Sequence, residues 1–441
     1  MKIALIMIKG DSYSYNILPK FLHQPDCLTI AMLHAIIKKS FPDIEIDFYD
    51  ETVEKIKKEK IDADIIGFSA MTPAYNKAVK YSEYYRNKGM TTFIGGVHAT
   101  LVPELCANDF DAVISGLGNE TLIELINDFK NGCLKKIYRQ NPNMSFENFP
   151  IPNRYLYRQK NKKAVEISKV QATYGCTNIC EFCVQPHVCQ GYHQRPFTDV
   201  LNEIKTIDSK YLEFYDPNLA KDLQYLKNLC VGLVPLKKFW MAPMTVTVAN
   251  NEELLKMIKK AGCRSVLVGF ESINKTSIDS INKGFNNIQK YKDAVKNFHK
   301  YGIYVTGSFV LGLDGDSEET EKKTLRFIKD VGIDFPRFTI NTPYPGTEYF
   351  EKMKKEGRIL TENWDLYDCT HCVIQPKNLT PKQVEQMQKN LWKKSYSLIN
   401  IISRLSYVKS LKEKLKLIVA NYIFGILYCR SNFKTNKARY R

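Results

Sequence analysis

Two series of short apolar runs alternate with amphipathic stretches along this chain, and a proline-bearing segment separates them. In the first series KIALIMI, IEIDFYD, DIIGFSA, TTFIGG and DAVISG are strand candidates, with helical patterns near residues 27–40, 73–88, 100–108 and 119–129. Strands that alternate with helices join their neighbours in parallel, so this series predicts a parallel, doubly wound α/β sheet. NPNMSFENFPIPNRYLYRQ, with Pro142, Pro150 and Pro152, reads as a linker. Six more strand candidates follow: EISKVQA, YLEFY, KFWMAPM, SVLVGF, YVTGSFVL and RFTINT. Helical stretches near 198–209, 252–261, 287–301 and 317–331 fall between some of them, which predicts a partial (β/α)6 barrel of the TIM type. Such a barrel carries its chemistry at the carboxyl ends of its strands. The expected division is an α/β domain over 1–140, a linker over 141–163, the barrel over 164–360 and a helical, basic extension over 361–441.

The composition, 44% hydrophobic with 12% aromatics, is that of a globular chain. The opening MKIALIMIKGDSYSYN has a short apolar run and lacks a signal peptide's small-residue cleavage site. Twelve cysteines without an export signal point to reduced thiols and metal ligands, hence to a cytoplasmic protein. Net charge is +17, but Lys389–Arg441 alone holds thirteen Lys and Arg against one acid, Glu413, and so supplies +12 of it. The rest is mildly basic, which argues against a nucleic-acid partner.

Cys176, Cys180 and Cys183 spell C-x-x-x-C-x-x-C directly after the first strand candidate of the second series. Three thiolates can hold three corners of a four-iron cluster and leave the fourth iron open, whereas a cluster that only carries electrons takes four cysteines. An open iron can bind a substrate or cofactor, by the logic that separates catalytic from structural zinc sites. The spacing therefore points to redox catalysis.

TYGCTNICEFC resembles the signature of the radical SAM superfamily. The resemblance implies a [4Fe–4S] cluster on Cys176, Cys180 and Cys183, with S-adenosylmethionine (SAM) chelated at the open iron and cleaved reductively to a 5′-deoxyadenosyl radical. It places Phe182 near the adenine. SVLVGFES resembles the fourth-strand segment whose acid, here Glu271, contacts the SAM ribose. FVLGLDGDS resembles the fifth-strand turn, with Gly312 and Gly315 permitting close backbone approach. TPYPGTEYF, beginning at Thr342, resembles the sixth-strand turn of the cobalamin-associated branch. EFYDPNLAKD lies where the SAM amino group is held; the usual Gly-Gly-Glu is absent, and Asp216 and Asn218 are the polar substitutes. Arg195 in YHQRP is either a partner for the SAM carboxylate or a surface arginine.

The first domain resembles the flavodoxin-like cobalamin-binding domain of the same branch, whose ligand crevice lies past the carboxyl ends of the strands. Ser69, Met71 and Thr72 follow the third strand, Gly95, Gly96 and His98 the fourth, and Gly116 and Gly118 the fifth. Glycines there let a flat ligand approach the backbone, or are ordinary turn residues. His98 is a candidate ligand or a loop hydrogen-bonder. Gly10-Asp11-Ser12-Tyr13 stands where many cobalamin proteins have D-x-H-x-x-G, and it lacks the histidine.

Cys369 and Cys372 in DCTHC read as incidental thiols rather than a second metal site, and Cys189, His187 and His193 as lining near the triad. Trp240 and Met241 read as barrel core. LIVANYIFGILYC, residues 417–429, is too short to span a bilayer and reads as a helix docked on the barrel or lying on a membrane surface. The resulting expectation is a radical SAM enzyme, using cobalamin, that methylates or oxidises an unactivated carbon. Its partners are a small-molecule substrate, apolar or membrane-borne, an electron donor such as flavodoxin or ferredoxin, and a membrane touched through 405–441. Two alternatives stand: a non-methylating oxidase or cyclase whose first domain binds no cobalamin, and an iron–sulfur sensor that does not turn over SAM.

Overall fold

The computed structural model describes residues 1–10, 27–158, 167–178 and 180–433. The Asp11–Tyr13 part of the missing-histidine stretch lies outside them. The first sheet holds β1 (Lys2–Met7), β2 (Glu45–Asp50), β3 (Ile65–Ser69), β4 (Thr91–Gly95), β5 (Ala112–Ser115) and β6 (Ile137–Arg139). All pairings are parallel and the order is β2-β1-β3-β4-β5-β6. Both faces are buried because strand residues alternate. Ile3 and Leu5 pack with Ile30, Ile37, Leu122 and Ile126 of the helices Leu28–Ser40 and Thr121–Lys130, while Ala4 and Ile6 share the opposite core with Tyr75, Ala78 and Tyr85 of Tyr75–Arg86. β6 was not expected; its three residues carry no readable period. The helix expected near 100–108 is two short ones, Val97–Leu101 and Pro103–Cys106, broken where Pro103 cannot donate a backbone bond.

The second sheet is built from β7 (Ile167–Val170), β10 (Tyr211–Phe214), β11 (Phe239–Pro243), β12 (Cys263–Glu271), β13 (Tyr304–Leu311) and β14 (Phe335–Ile340), again all parallel. Its order is β14-β13-β12-β11-β10-β7, so among the described residues β7 and β14 do not pair and the barrel stays open. A small antiparallel hairpin, β8 (Thr173–Gly175) with β9 (Tyr192–Gln194), lies between β7 and β10 in the chain and frames the cysteine loop. Trp240 is buried in the barrel core, its indole donating to the Ala261 carbonyl at 2.9 Å.

The helix Pro381–Ser395 covers the exposed edge of β14. It starts in a reciprocal cap between Thr380 and Gln383, and Gln388 and Trp392 both donate to the Phe338 carbonyl. Beyond it, Leu398–Arg404 and Leu411–Phe433 close the amino end of the sheet. Ile401, Leu405 and Leu417 pack with Tyr304 and Phe335, the first residues of β13 and β14. Buried Arg404 ties these helices to the barrel by donating to the Asp334 and Ser395 carbonyls and to Asn421 Oδ1. Among the described residues no helix is long and apolar enough to cross a membrane.

Candidate active site

The cysteine loop springs from a hairpin that only glycine can close. Gly175 has φ +71°, and a Cβ there would lie 1.7 Å from the Gly191 carbonyl oxygen. The loop is then fixed from both sides. Glu181 donates its backbone N–H to the Ile281 carbonyl, and its carboxylate pairs with Lys352 at 2.8 Å. Phe182 packs on Ile281, Val310 and Leu313, which brings the loop against the carboxyl ends of β12 and β13.

Burial holds the Cys180 thiol up at about 11 and raises Cys183 as well, each also raised by the neighbouring cysteines. A bound cation reverses that preference and makes these groups thiolates. Backbone N–H groups already address two of the sulfurs, Asn178 at Cys176 Sγ (3.4 Å) and Gln185 at Cys183. Among the described residues no three such ligands gather around one point as a single metal ion demands. Three thiols on one loop, two of them addressed by backbone amides, are a donor set that a cluster with one open iron can take.

The remaining expected SAM contacts lie at the neighbouring strand ends, in unequal states. Glu271 ends β12 at a register slip and sits at φ +60°, a conformation a β-strand glutamate adopts only when its surroundings impose it. It pairs with Lys283, buried beside the cysteines, whose positive charge acts on Cys180 and Cys183. Lys283 escaped the sequence reading; its only signal is a place one turn after the short helix Lys275–Asp279 that follows Glu271. Asn218, past β10, is buried with its Oδ1 unpartnered, as is Asn341 Oδ1 past β14. Asp216 is not open: its carboxylate accepts from the Ala172 and Thr173 N–H groups and the Thr173 hydroxyl, pinning the start of β8. Gly312 (φ +84°) donates to Asp316, which builds the turn after β13, and Thr342 folds its hydroxyl back onto the Ile340 carbonyl.

Arg195 corrects the reading as a surface arginine. Only 1% exposed, it lies 2.7 Å from Glu203, a carboxylate that also binds Arg154, and it donates to the Gln171 carbonyl.

In the first domain Ser69, Gly95, Gly96, Gly116 and Gly118 line up past β3, β4 and β5, with Met71 exposed beside them. The crowding at two of the glycines is internal: a Cβ on Gly96 would meet the Ala70 carbonyl at 2.8 Å, and one on Gly116 the Gln140 side chain at 2.5 Å. Thr72 and His98 are fully buried and bonded to each other (3.3 Å). The His98 ring lies between Tyr75 (4.2 Å) and Trp364 (5.7 Å), and burial drives its pKa down to about 3. His98 is thus a neutral part of the wall, covered by a tryptophan from the far side of the barrel. The polar groups that sequence reasoning missed stand past β5 and β6. Asn119 Nδ2, Thr121 Oγ1 and Gln140 Nε2 are buried without partners, and groups of that kind fit the amides and phosphate of a cobalamin.

The carboxyl ends of the two sheets meet. Gly346, in the turn after β14, packs so closely on Leu101 that a Cβ would lie 2.1 Å from its carbonyl, and the helix Val97–Leu101 touches Gln185–Cys189 of the cluster loop. Cys189 and His193 serve the hairpin, the histidine contacting the Cys189 carbonyl and stacking on Phe146. The Cys369 sulfur meets the Tyr344 hydroxyl and Cys372 donates to the Ile374 carbonyl, so these two sulfurs address different partners.

Comparison with known proteins agrees with this layout. Residues 28–126 match the B12 binding domain and residues 170–328 the radical SAM superfamily. Bacteriochlorophyllide d C-12(1)-methyltransferase of Chlorobaculum tepidum is 28% identical over 389 residues, 86% of this chain and 84% of its own. Anaerobic magnesium-protoporphyrin IX monomethyl ester cyclase of Cereibacter sphaeroides is 22% identical, over 83% of this chain and 66% of its own. The fold of OxsB, a cobalamin-dependent SAM radical enzyme, superposes with a TM-score of 0.69 at 14% identity, covering 99% of this chain and 74% of that one. The chain thus joins a domain similar to the B12 binding domain, residues 28–126, to one similar to the radical SAM superfamily, residues 170–328.

Proposed function

We propose that this enzyme methylates an unactivated carbon of a small, largely apolar molecule held between the two sheets. The observation that carries the reading is the meeting of the carboxyl ends: the cluster loop and the Lys283–Glu271 pair on one side, the loops past β3–β5 on the other. When bound, the [4Fe–4S] cluster supplies the electron that cleaves SAM, and cobalamin supplies a transferable methyl group.

The chain's own residues bind and orient. Cys176, Cys180 and Cys183 hold the cluster. Lys283 and Glu271 offer one charge of each sign where a zwitterionic amino acid moiety and a ribose need them. Asn218 Oδ1, buried and without a donor, is an acceptor for an ammonium group. Phe182 and Leu313 give an apolar wall for a flat ring. Asn119, Thr121 and Gln140 would hydrogen-bond the amides or phosphate of a bound cobalamin. The reductant is a small electron-transfer protein of the flavodoxin or ferredoxin kind, and the basic C-terminal segment gives the chain a peripheral contact with a membrane.

The test is anaerobic reconstitution with iron, sulfide and cobalamin, followed by analysis of SAM products with candidate substrates. A methylase forms S-adenosylhomocysteine together with 5′-deoxyadenosine. Deoxyadenosine alone replaces this reading with a non-methylating oxidase or cyclase. A cluster without SAM cleavage replaces it with a sensor.

A further inference from the structure

The two C-terminal helices bury one face and leave the other bare. On Leu411–Phe433, Leu417, Asn421 and Gly425 face the barrel, while Leu411, Leu415, Val419 and Tyr422 are all more than half exposed. Their spacing puts these four on one helical stripe. On the adjoining helix Leu398, Ile399 and Ile402 are exposed as well, Ile399 at 76%. A soluble surface scatters such residues singly; seven on two touching helices form a patch that asks for a partner.

We infer that this patch docks on an anionic lipid bilayer. The inference rests on the reading of the C-terminal segment as a membrane contact and not on the radical chemistry. Charge decides the occupant. Lys412 and Lys416 flank the stripe and are exposed, Lys409 precedes it, and Lys434, Lys437, Arg439 and Arg441 follow in the sequence against a single acid, Glu413. A second copy of the same face would bring like charge against like charge, whereas an anionic surface attracts every one of these cations. An apolar stripe from Leu411 to Tyr422 with a basic flank suits contact with the interface of a membrane.

The position of the patch has a consequence for substrate traffic. Its helices pack on Tyr304 and Phe335, at the amino ends of β13 and β14, whereas the cluster loop and the turn at Gly346 lie at the carboxyl ends. Docking by this face points the barrel mouth away from the bilayer. The patch tethers the enzyme to a membrane and leaves the substrate to enter from the aqueous side.

The test uses the full, reconstituted chain and sedimentation with vesicles of phosphatidylcholine alone or mixed with phosphatidylglycerol. We expect pelleting with the mixed vesicles. The pair Lys412→Glu and Lys416→Glu should weaken it by roughly tenfold or more. The pair Leu415→Glu and Val419→Glu should abolish it, with thermal midpoint and SAM cleavage unchanged because these side chains already face water. Equal pelleting by the variants overturns the inference, as does failure of the parent to pellet. A dimer in light scattering that Leu415→Glu converts to monomer also overturns it, by assigning the face to a second copy. Pelleting by a preparation that does not cleave SAM supports docking and counts only against the proposed reaction.

Discussion

Lys283 Nζ lies 2.5 Å from Glu271 Oε1, both side chains are buried, and the pair stands over Gly269 of β12. A Cβ at 269 would lie 2.3 Å from the carboxylate and 2.7 Å from the ammonium, so a larger residue there would push the tips of both side chains aside. The pair is also where backbone strain concentrates, since Glu271 adopts its left-handed conformation at the register slip between β12 and β13. Strain, close packing and opposite charges thus coincide at one strand end beside the cysteines.

Removing one partner should therefore cost more than removing both. Glu271→Gln or Lys283→Met leaves an uncompensated buried charge, a loss of about 3–5 kcal/mol. The double variant should recover part of that loss. Denaturant unfolding of the cofactor-free protein reads this directly, and all three variants should lose SAM cleavage after reconstitution.

Asp316 gives a pH signature. Burial pushes its carboxyl up to about 6, although the Ser277 hydroxyl and the Gly312 and Leu313 N–H groups favour the charged form. A folded-state pKa above the unfolded value means that the native protein binds the extra proton, so this site's stabilisation is complete at low pH and fades as pH rises through 6. Between pH 5 and 7 the loss should be about 1 kcal/mol. Asp316→Asn can accept both N–H bonds with its oxygen and donate its amide to Ser277, so it should fold and flatten that slope. Unfolding midpoints at pH 5 and 7 for the two proteins check it.

Arg195 and Arg154 share the buried Glu203 carboxylate, and variants of the three should show what that network contributes to stability. Glu203 lies between Arg195 and Arg154, so Arg195→Met leaves the carboxylate one cation, while Glu203→Gln strands two. Glu203→Gln should be the more destabilising in the cofactor-free protein, by about 3 kcal/mol or more. The folded fraction of Arg195→Met should keep its affinity for SAM, measured by calorimetry on reconstituted enzyme.

These corrections show where the sequence was legible. The strands were readable because apolar runs such as SVLVGF and DIIGFSA carry their own period, and the cysteine loop because its ligands are within eight residues of each other. The cover over His98 was not readable: Trp364 reaches it from beyond the last barrel strand, and no local pattern encodes that meeting. Lys283 was hidden in the same way, as one lysine among many until the turn after the helix Lys275–Asp279 brings it under Glu271. Arg195 was read from its neighbours in sequence, whereas its environment is set by Glu203 on the next helix.

The seam between the sheets can be tested at a single atom. Gly346 has φ +77° and Gly357 has φ +68°, so alanine at either position carries the same left-handed strain, about 1–2 kcal/mol. They differ in what a methyl would meet. Nothing lies within 4 Å at Gly357, while at Gly346 the Leu101 carbonyl oxygen would be 2.1 Å away. That oxygen belongs to the backbone, and no side-chain rotation relieves the clash. Gly357→Ala should therefore lose stability and nothing else. Gly346→Ala should lose more, and should also part the turn after β14 from the first domain. Its mark would be faster cleavage by limited proteolysis between residues 141 and 163 and loss of cobalamin on gel filtration, with iron content retained. Equal behaviour of the two variants would mean that the sheets hold their relation without this contact.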